Sequence, residues 1–462
     1  MSTRQDTALS PPISSRNDLV AWLAAGEKPE ERWRIGTEHE KFIFDRTTLA
    51  PVSYDGAKGI RTIMIGLVDR FGWEPIREGD TIIALAGTGA SAGATISLEP
   101  GGQFELSGAP LRSLHEVAEE TDRHLAEVAA VTDPLDLGML GMGFTPTWSR
   151  AEMPTMPKRR YAVMTRYMPK VGQHGLDMMY RTCTIQVNLD YASEADMVQK
   201  LRVSLALQPI AQAMFAASPF TEGAANGFKT FRGEVWRDTD RARTGNLPFA
   251  FEAQMGYERY VDYALNVPMY FVYRDGHYID VAGASFQDFL AGRLAAMPGE
   301  RPTMADWSDH LTTLFPDVRL KKFLEMRGAD GGPASRIKAL PAYWVGLLYD
   351  QGALDAAWQM VKVWSAAERD QLRDGVPRHG MALPFRNGTV ADLARETLAL
   401  ARQGLKNRAL RLGLQRDETC YLEPMEAMAR QGACPADLML ADLSARPEGE
   451  PLRLYHSLRI TD

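Results

Sequence analysis

Two glutamates that lie two residues apart begin the most informative stretch of this sequence, residues 34–45. In an extended strand Glu38 and Glu40 would share one face with Phe42 and Phe44, because successive side chains point to opposite sides. We expect that face to point into the protein, where unpaired carboxylates are very costly. A divalent cation bound through oxygen would neutralise them. Lysine or arginine on a half-exposed sheet would do so equally well, and this segment leaves both interpretations open.

A second set of acidic residues surrounds a glycine-rich turn. Residues 100–102, Pro-Gly-Gly, interrupt the backbone after Glu99, and Gln103 and Glu105 then alternate on one face of the next segment. A second carboxylate pair in an apolar, glycine-rich setting favours a metal site. For Glu99, a position at the end of a strand facing water is the alternative.

Residues 181–191 have the clearest strand pattern in the chain. One face would carry Thr182, Thr184, Gln186, Asn188 and Asp190, and the other Cys183, Ile185, Val187, Leu189 and Tyr191. A polar face this regular is either exposed to water or forms the floor of a polar site, and the flanking apolar helices favour the floor. Cys183 would lie on the apolar side, which indicates core packing rather than a nucleophile.

Three further segments concentrate positive charge. Residues 156–170 contain five lysines and arginines among aromatic and methionine neighbours, and residues 231–245 contain four arginines and two aspartates around Trp236. In residues 318–330, read as one strand, five side chains would face the same way: Arg319, Lys321, Phe323, Glu325 and Arg327. The fixed fork of arginine suits phosphate and carboxylate groups, although solvated charged surfaces and structural ion pairs would produce the same patterns.

The composition is that of an ordinary soluble globular protein: 462 residues, of which 45% are hydrophobic and 24% charged. A net charge of −7 gives no reason to expect a nucleic-acid partner, and no apolar run reaches the roughly 18 residues of a membrane span. Cys183, Cys420 and Cys434 have no disulfide or metal-site spacing, which indicates a reducing compartment. We expect a cytoplasmic protein with a flexible N-terminal tail over residues 1–16.

The elements that would position these residues predict an α+β fold: a mainly antiparallel sheet forms a polar trough, and helices pack around it. We expect residues 17–462 to form a single large catalytic domain. Its helical C-terminal portion would begin at about residue 339, with Gly388, Gly404 and Gly413 as breaks between helices. Five glutamates, enough for two or three Mg²⁺ ions, would line the trough: Glu38, Glu40, Glu99, Glu105 and Glu325.

Four motifs resemble those of glutamate–cysteine ligases of the plant and proteobacterial type: residues 36–40 (Gly-Thr-Glu-His-Glu), 97–108, 181–190 and 325–330 (Glu-Met-Arg-Gly-Ala-Asp). The resemblance implies a glutamine-synthetase-like catalytic fold and the first step of glutathione biosynthesis. In that step ATP phosphorylates the γ-carboxylate of L-glutamate, and the amine of L-cysteine attacks the acyl phosphate. The implied partners are these small molecules, and the implied protein is a monomer or a homodimer.

Carried onto this sequence, the resemblance also implies roles for individual residues. The five trough glutamates become the Mg²⁺ ligands, and the catalytic residues are Glu325, Arg327 and Arg232. The implied substrate-binding residues are Arg160, Arg181, Arg232 and Trp236. The implied nucleotide-binding residues are Gln186, Asn188, Arg241 and Arg327. A loop over residues 237–247 is a candidate to close over the site.

Two features of the plant enzymes have no counterpart in this sequence. Their regulatory cysteine pairs correspond to Ala118 with Lys338 and to Val281 with Ala296, so thiol switching by that route should be absent. The absence of a plastid transit segment favours a bacterial cytoplasmic enzyme. Three alternatives stay open: a related ATP-dependent ligase that joins glutamate to a different amine, a guanidino-type phosphotransferase, and a Mg–nucleotide-binding protein without turnover.

Overall fold

The strands of this computed structural model, which describes residues 10–445 and Ile460, belong mostly to one large sheet. The first seven strands are β1 (Ile35–Asp45), β2 (Glu74–Glu78), β3 (Thr81–Ala86), β4 (Thr95–Leu98), β5 (Phe104–Ser107), β6 (Leu137–Leu140) and β7 (Thr184–Leu189). Short strands follow: β8 (Phe220–Thr221), β9 (Ala224–Ala225), β10 (Thr244–Gly245), β11 (Phe271–Arg274), β12 (His277–Asp280) and β13 (Phe315–Pro316). The last four are β14 (Val318–Leu320), β15 (Leu324–Asp330), β16 (Pro384–Phe385) and β17 (Gly388–Thr389).

Nine strands form the large sheet, in the order β14-β15-β7-β1-β5-β4-β3-β2, with β6 paired to the second half of β1. All of its strand pairs are antiparallel, which confirms the predicted α+β fold with a mainly antiparallel sheet. Residues 318–330 form a hairpin rather than one strand, because the chain turns where the Lys321 N–H donates to the Phe323 carbonyl. Arg319 becomes the cross-strand partner of Glu325, so these two side chains still share a face.

Helices pack around the sheet and dominate the C-terminal third of the chain. The first ten are α1 (Arg16–Ala24), α2 (Ile60–Phe71), α3 (Leu114–Thr132), α4 (Arg159–Tyr167), α5 (Gly175–Arg181), α6 (Glu194–Phe215), α7 (Phe231–Arg237), α8 (Tyr257–Asn266), α9 (Phe286–Leu290) and α10 (Met304–Thr312). The helical C-terminal portion contains α11 (Ala334–Leu348), α12 (Gln351–Val361), α13 (Ala366–His379), α14 (Val390–Leu412), α15 (Glu423–Gln431) and α16 (Pro435–Ser444).

Helix α11 connects the C-terminal helices to the sheet, since it contacts α3, α14 and β7. Its crossing with α14 depends on two glycines: a Cβ atom at Gly404 would lie 1.9 Å from the Gly346 carbonyl oxygen, and one at Gly346 would lie 2.3 Å from the Ala401 carbonyl oxygen. The expectation that Gly404 breaks the chain between helices is therefore wrong. It lies inside α14 because close backbone packing requires a residue without a side chain.

The main hydrophobic core lies between the sheet and helices α3, α6, α11 and α14, and a smaller one contains Phe42, Phe44 and Trp148. Cys183 is buried in the smaller core, as its place on the apolar face predicted. Among the described helices, none combines the length and the apolar character that crossing a membrane requires.

The N-terminal segment is anchored where the structure describes it. Residues 1–9 of the expected flexible tail lie outside the described residues. Pro12 forms a bridge with Thr303, and Ile13 is buried. The expectation of a flexible tail therefore does not hold for residues 10–16, because this part of the segment packs onto the protein.

Candidate active site

Strand register brings acidic side chains from several strands together on one face of the sheet. Glu40 in β1 is the cross-strand partner of Glu105 in β5, and Glu105 lies opposite Ser97 in β4. Glu38 in β1 lies opposite Gln186 in β7. Directly opposed residues in an antiparallel pair have Cβ atoms about 5 Å apart. These side chains therefore share a small volume.

The cavity above this face is the acidic trough. Its lining includes all five predicted glutamates, the amide of Gln186 and four cations: Glu38, Glu40, Glu99, Glu105, Glu325, Gln186, Arg160, Arg319, Lys321 and Arg327. Glu325 reaches the trough from β15, where its cross-strand partner is Asn188 of β7. The polar face of β7 is thus the floor of a polar site, as predicted.

Glu40 and Glu105 place negative charge at the centre of the trough. Ser97 Oγ and Ser107 Oγ donate to the Glu105 carboxylate at 3.0 and 3.2 Å. Glu40 accepts the Thr184 backbone N–H at 3.0 Å. Burial raises the pKa of Glu40 well above its ordinary value, and the carboxylates of Glu105 and Glu99 raise it further. This part of the trough therefore favours a bound cation.

Glu38 lies beside two amides whose oxygens are free. Asn188 Nδ2 donates to the Glu38 carboxylate at 2.8 Å and Gln186 Nε2 at 3.5 Å. Burial raises the pKa of Glu38, and the carboxylates of Glu325 and Glu105 add to the shift. In the part of the chain that the structure describes, Gln186 Oε1 and Asn188 Oδ1 are buried and have no hydrogen-bond partner. Adjacent free amide and carboxylate oxygens are ligands that hard cations take.

Glu325 differs from the other glutamates because it is already paired. Arg319 donates to its carboxylate through Nε at 2.5 Å and Nη2 at 3.0 Å, and Arg327 Nη1 lies 3.2 Å away. Although burial alone would raise the pKa of Glu325, Arg319, Lys321 and Arg327 hold it well below its ordinary value. Glu325 is therefore a charged group that positions two arginines at the trough.

The trough residues fit Mg²⁺ by their chemistry, although they do not form a complete metal cage. Among the described residues, no three Asp, Glu, His or Cys side chains lie close enough together to hold a metal ion by themselves. Mg²⁺ is usually bound through one or two carboxylates together with substrate phosphates. The unpartnered oxygens beside Glu38 and the raised pKa of Glu40 therefore suit a cation that shares its ligands with a phosphate.

A second cavity adjoins the trough at Phe315 and Arg327, which line both. We name it the arginine pocket, after Arg232, Arg327 and Arg373. Arg232 Nη2 donates to the Arg327 carbonyl at 3.0 Å, and the guanidinium lies 5.5 Å from the centre of the Trp236 ring. Arg232 Nε and Trp236 Nε1 are buried and have no partner among the described residues. The pocket thus presents free donors, which suits a carboxylate ligand.

A third cavity, the outer cavity, lies on the other side of Glu38. Glu38 and Lys321 line both this cavity and the trough, and Asn188 also faces it. Its wall combines two aromatic rings with cations: Trp22, Phe323, Lys28, Arg34 and Lys322. Rings that stack on a base and cations that hold phosphates are the groups that a nucleotide needs.

Two predicted arginines are not brought to these cavities. Arg181 ends helix α5, lies 4.6 Å from the centre of the Phe144 ring, and forms ion pairs with Asp177 and Glu222 at 3.3 and 3.2 Å. These contacts hold its guanidinium in place, and Arg181 lines none of the three cavities. Arg241 is exposed and lines none of the three cavities described above.

The loop that carries Arg241 is anchored in the core. Arg243 is fully buried, and its Nε lies 2.7 Å from the Asp240 carboxylate while Nη2 donates to the Pro268 carbonyl at 2.7 Å. This anchoring argues against the expectation that residues 237–247 close over the site.

Several lysines and arginines near the site were not assigned a role from the sequence. Arg319 and Lys321 lie on the face that the alternation of residues 318–330 predicted, but the hairpin that aims them at Glu325 was not foreseen. Lys158 Nζ lies 3.2 Å from Ser97 Oγ, next to the Glu105 carboxylate. Its position in a cluster of five cations was a signal, but the sequence does not tell which cation turns inward.

Comparisons with known proteins agree on one family. The family model described as glutamate–cysteine ligase family 2 matches residues 34–455. Glutamate–cysteine ligase, chloroplastic, from Brassica juncea is 52% identical over 438 residues, which cover 95% of this chain and 82% of the relative. Glutamate–cysteine ligase B, chloroplastic, from Oryza sativa subsp. japonica is also 52% identical and covers 95% of this chain and 86% of the relative.

A solved structure supports the fold. The glutamate–cysteine ligase from Francisella tularensis, in complex with AMP, superposes with a TM-score of 0.53 and covers 90% of this chain and 85% of that chain. At 14% sequence identity this likeness concerns the fold alone.

The comparisons also correct one expectation. The predicted cytoplasmic location is wrong, because the relatives from Brassica juncea, Nicotiana tabacum, Solanum lycopersicum and Arabidopsis thaliana, at 51–52% identity, are named chloroplastic.

Proposed function

Because this chain belongs to glutamate–cysteine ligase family 2, we propose that the acidic trough and the arginine pocket are the two halves of its active site. The enzyme is an ATP-dependent carbon–nitrogen ligase. It joins the γ-carboxyl group of L-glutamate to the amine of L-cysteine, the first step of glutathione biosynthesis. The observation that supports this placement most strongly is that a cluster of incompletely neutralised carboxylates meets a buried arginine pocket at Arg327.

In the first step, glutamate occupies the arginine pocket with its α-carboxylate toward Arg232 and Trp236 and its γ-carboxylate toward Arg327. A γ-carboxylate oxygen attacks the terminal phosphorus of ATP, the bond from that phosphorus to the ADP oxygen breaks, and an acyl phosphate forms. Arg319 and Arg327 lie beside Glu325, where they can stabilise the negative charge of the transferring phosphoryl group.

In the second step, the cysteine nitrogen attacks the acyl carbon and forms the amide bond. The carbon–oxygen bond to phosphate breaks, phosphate leaves, and the amine nitrogen loses a proton. Water must stay away from the acyl phosphate, and the trough wall formed by Met164, Phe271 and Phe315 supplies apolar cover. Arg160 also lines the trough, so we place it against substrate at this end.

We place the nucleotide in the outer cavity, with its base against Trp22 or Phe323 and its phosphates toward Lys321, beside Gln186 and Asn188. The five trough glutamates would hold two or three Mg²⁺ ions together with the phosphates: Glu38, Glu40, Glu99, Glu105 and Glu325. When bound, Mg²⁺ neutralises charge between ATP and the γ-carboxylate.

The test is ADP release from purified protein with ATP, Mg²⁺ and L-glutamate, with and without L-cysteine, and identification of the product by mass. We expect cysteine-dependent ADP together with γ-glutamylcysteine. ADP that forms with another amine but not with cysteine would contradict the assigned acceptor, which the relatives' names favour. A phosphorylated product without an amide bond, or no ADP at all, would contradict the ligase reaction.

We further expect these small molecules to be the only partners, with no nucleic acid or membrane, and the protein to be a monomer or a homodimer. Light scattering of the purified chain, with and without ATP and glutamate, measures that state directly.

A further inference from the structure

The carboxylate of Asp317 lies in the arginine pocket. Asp317 is the only acidic residue among the described residues that line this cavity. Its backbone is fixed on both sides: its N–H donates to the Gly245 carbonyl at 3.0 Å, and its carbonyl accepts the Arg327 N–H at 3.1 Å. The side chain is 26% exposed, toward the cavity, and its Oδ2 lies 3.7 Å from Arg373 Nε. That separation is too long for a hydrogen bond, so the ion pair leaves the carboxylate able to accept others.

A second acceptor faces the same cavity. Gln208 lies on helix α6 just before Pro209, and its side chain is almost completely buried. Its Oε1 has no hydrogen-bond partner among the described residues, although it lines the pocket. A buried amide oxygen without a donor is costly, so this atom is well placed to receive a donor from a ligand.

The pocket therefore presents donors and acceptors as two separate sets. Arg232 Nε and Trp236 Nε1 are free donors, and Gln208 Oε1 and the Asp317 carboxylate are available acceptors. An α-amino acid has a carboxylate that only accepts and an ammonium group that only donates. The two sets match that arrangement, whereas a simple dicarboxylate would leave the acceptors without donors.

We propose that Asp317 and Gln208 receive the α-ammonium group of the substrate and so make this pocket specific for an amino acid. The proposal rests on the placement of glutamate in the arginine pocket given above. It assigns Asp317 as a specificity-determining residue that contacts substrate, in addition to its loose ion pair with Arg373. Burial raises the pKa of Asp317, and the nearby guanidinium groups of Arg373, Arg232 and Arg327 oppose that shift; an ammonium group at the carboxylate would oppose it as well.

The experiment compares L-glutamate with glutarate, which has both carboxylates and lacks the amine. The measured quantities are the KM for glutamate, the KM values for ATP and cysteine, and the inhibition constant of glutarate against glutamate. For the wild type we expect the glutarate inhibition constant to exceed the glutamate KM by at least about 10-fold. For Asp317→Asn we expect the glutamate KM to rise about 10- to 100-fold, while the ATP KM and glutarate inhibition change less than about threefold.

Two further variants complete the design. Gln208→Met keeps the length of the side chain and removes the amide oxygen. It should lower the ratio of the glutarate inhibition constant to the glutamate KM, as Asp317→Asn does, but by a smaller factor. Asp122→Asn is the matched control, because Asp122 is exposed, pairs with Lys338 Nζ at 2.6 Å, and neither of these two residues lines the pocket. It should leave all four constants within about twofold of wild type, as expected for an exposed ion pair.

Two outcomes would overturn the proposal: equal wild-type affinity for glutarate and glutamate, or an unchanged ratio of the glutarate inhibition constant to the glutamate KM in a folded Asp317→Asn protein, including the case of equal losses for both compounds. Equal losses would mean that Asp317 only holds Arg373 in place. Should Asp317→Asn fail to fold, the wild-type ratio and Gln208→Met still decide. A wild type that makes no γ-glutamylcysteine would refute the proposed function, which is a different result from an active wild type without discrimination.

Discussion

Two buried charge clusters in this protein have opposite character. Between helices α3 and α14, Arg408 donates through Nη1 to Glu418 and through Nη2 to the Arg112 carbonyl at 2.6 Å, and Glu418 also accepts the Leu114 N–H at 2.6 Å. Every charge in that cluster has a partner. In the acidic trough, Glu40 has a raised pKa because neighbouring carboxylates add to the effect of burial.

The difference indicates where the protein binds ligands. A buried ion pair with complete hydrogen bonding holds elements together, and removing one partner leaves an uncompensated charge. A buried cluster with excess charge destabilises the unliganded protein and is retained where a ligand supplies the missing charge. The Arg408–Glu418 cluster is therefore structural, and the trough is the functional site.

The largest effect should come from Glu40→Gln, which keeps the shape of the trough and removes one negative charge. We expect kcat for γ-glutamylcysteine formation to fall by about 1,000-fold, a loss typical of removing a group that stabilises transition-state charge. Steady-state kinetics at saturating Mg²⁺, ATP, glutamate and cysteine measure it. A loss below about 10-fold would contradict a role for Glu40 in holding the metal–nucleotide.

The structural cluster should respond in the opposite way. Arg408→Met leaves Glu418 buried without its cation and should lower the free energy of unfolding by about 3 to 5 kcal/mol, with kcat of the folded protein nearly unchanged. The double variant Arg408→Met with Glu418→Gln should lose less, because no unpaired charge remains. Urea denaturation of the three proteins measures this. A double variant less stable than the single one would refute the interpretation.

Glu120 is a buried carboxyl group outside both clusters, and it accepts the Ala109 N–H at 2.8 Å. Burial raises its pKa to about 7. The folded protein therefore holds this proton over a range where the unfolded chain, with a pKa of about 4.3, has released it. The stabilisation is complete below about pH 4 and disappears as the pH rises through 7, a loss of about 3 to 4 kcal/mol.

Glu120→Gln should remove that part of the pH dependence. Unfolding midpoints in urea at pH 5, 6, 7 and 8 should fall for the wild type and change less for the variant, which should be the more stable of the two at pH 8. Parallel profiles for the two proteins would show that Glu120 does not titrate in this range.

The smallest effect should come from reductant. The described structure contains three free cysteines, Cys183 and Cys434 buried and Cys420 exposed, and no disulfide joins them. Ala118 and Lys338 correspond to the two positions of one plant cysteine pair, and Lys338 Nζ donates to the Asp122 carboxylate at 2.7 Å. Dithiothreitol should change the initial rate by less than about twofold, and a strong loss of activity on reduction would contradict this.

The sequence predicted the trough better than it predicted the arginines, and the reason is physical. Alternation within a strand fixes which side chains share a face, so Glu38 could be placed beside Glu40, and Gln186 beside Asn188. It does not fix the register between distant strands, and only the structure pairs Glu40 with Glu105.

Arginines are harder to place from sequence because their long side chains find partners that are remote in the chain. Arg181 lies next to the polar strand but pairs with Asp177 and Glu222, whereas Arg319, which had no predicted role, holds Glu325. Asp317 could not be singled out either, because its role depends on a cavity formed by helices α6, α7 and α13.

The most direct test of the central claim is the melting temperature of wild type and Glu40→Gln, each with and without Mg²⁺ and a non-hydrolysable ATP analogue. If excess charge in the trough is neutralised by the bound metal–nucleotide, Glu40→Gln melts at a higher temperature than wild type without ligand. With ligand the wild type gains more, and the order reverses. If Glu40→Gln melts lower without ligand, or both proteins gain equally with it, the trough is not the metal–nucleotide site.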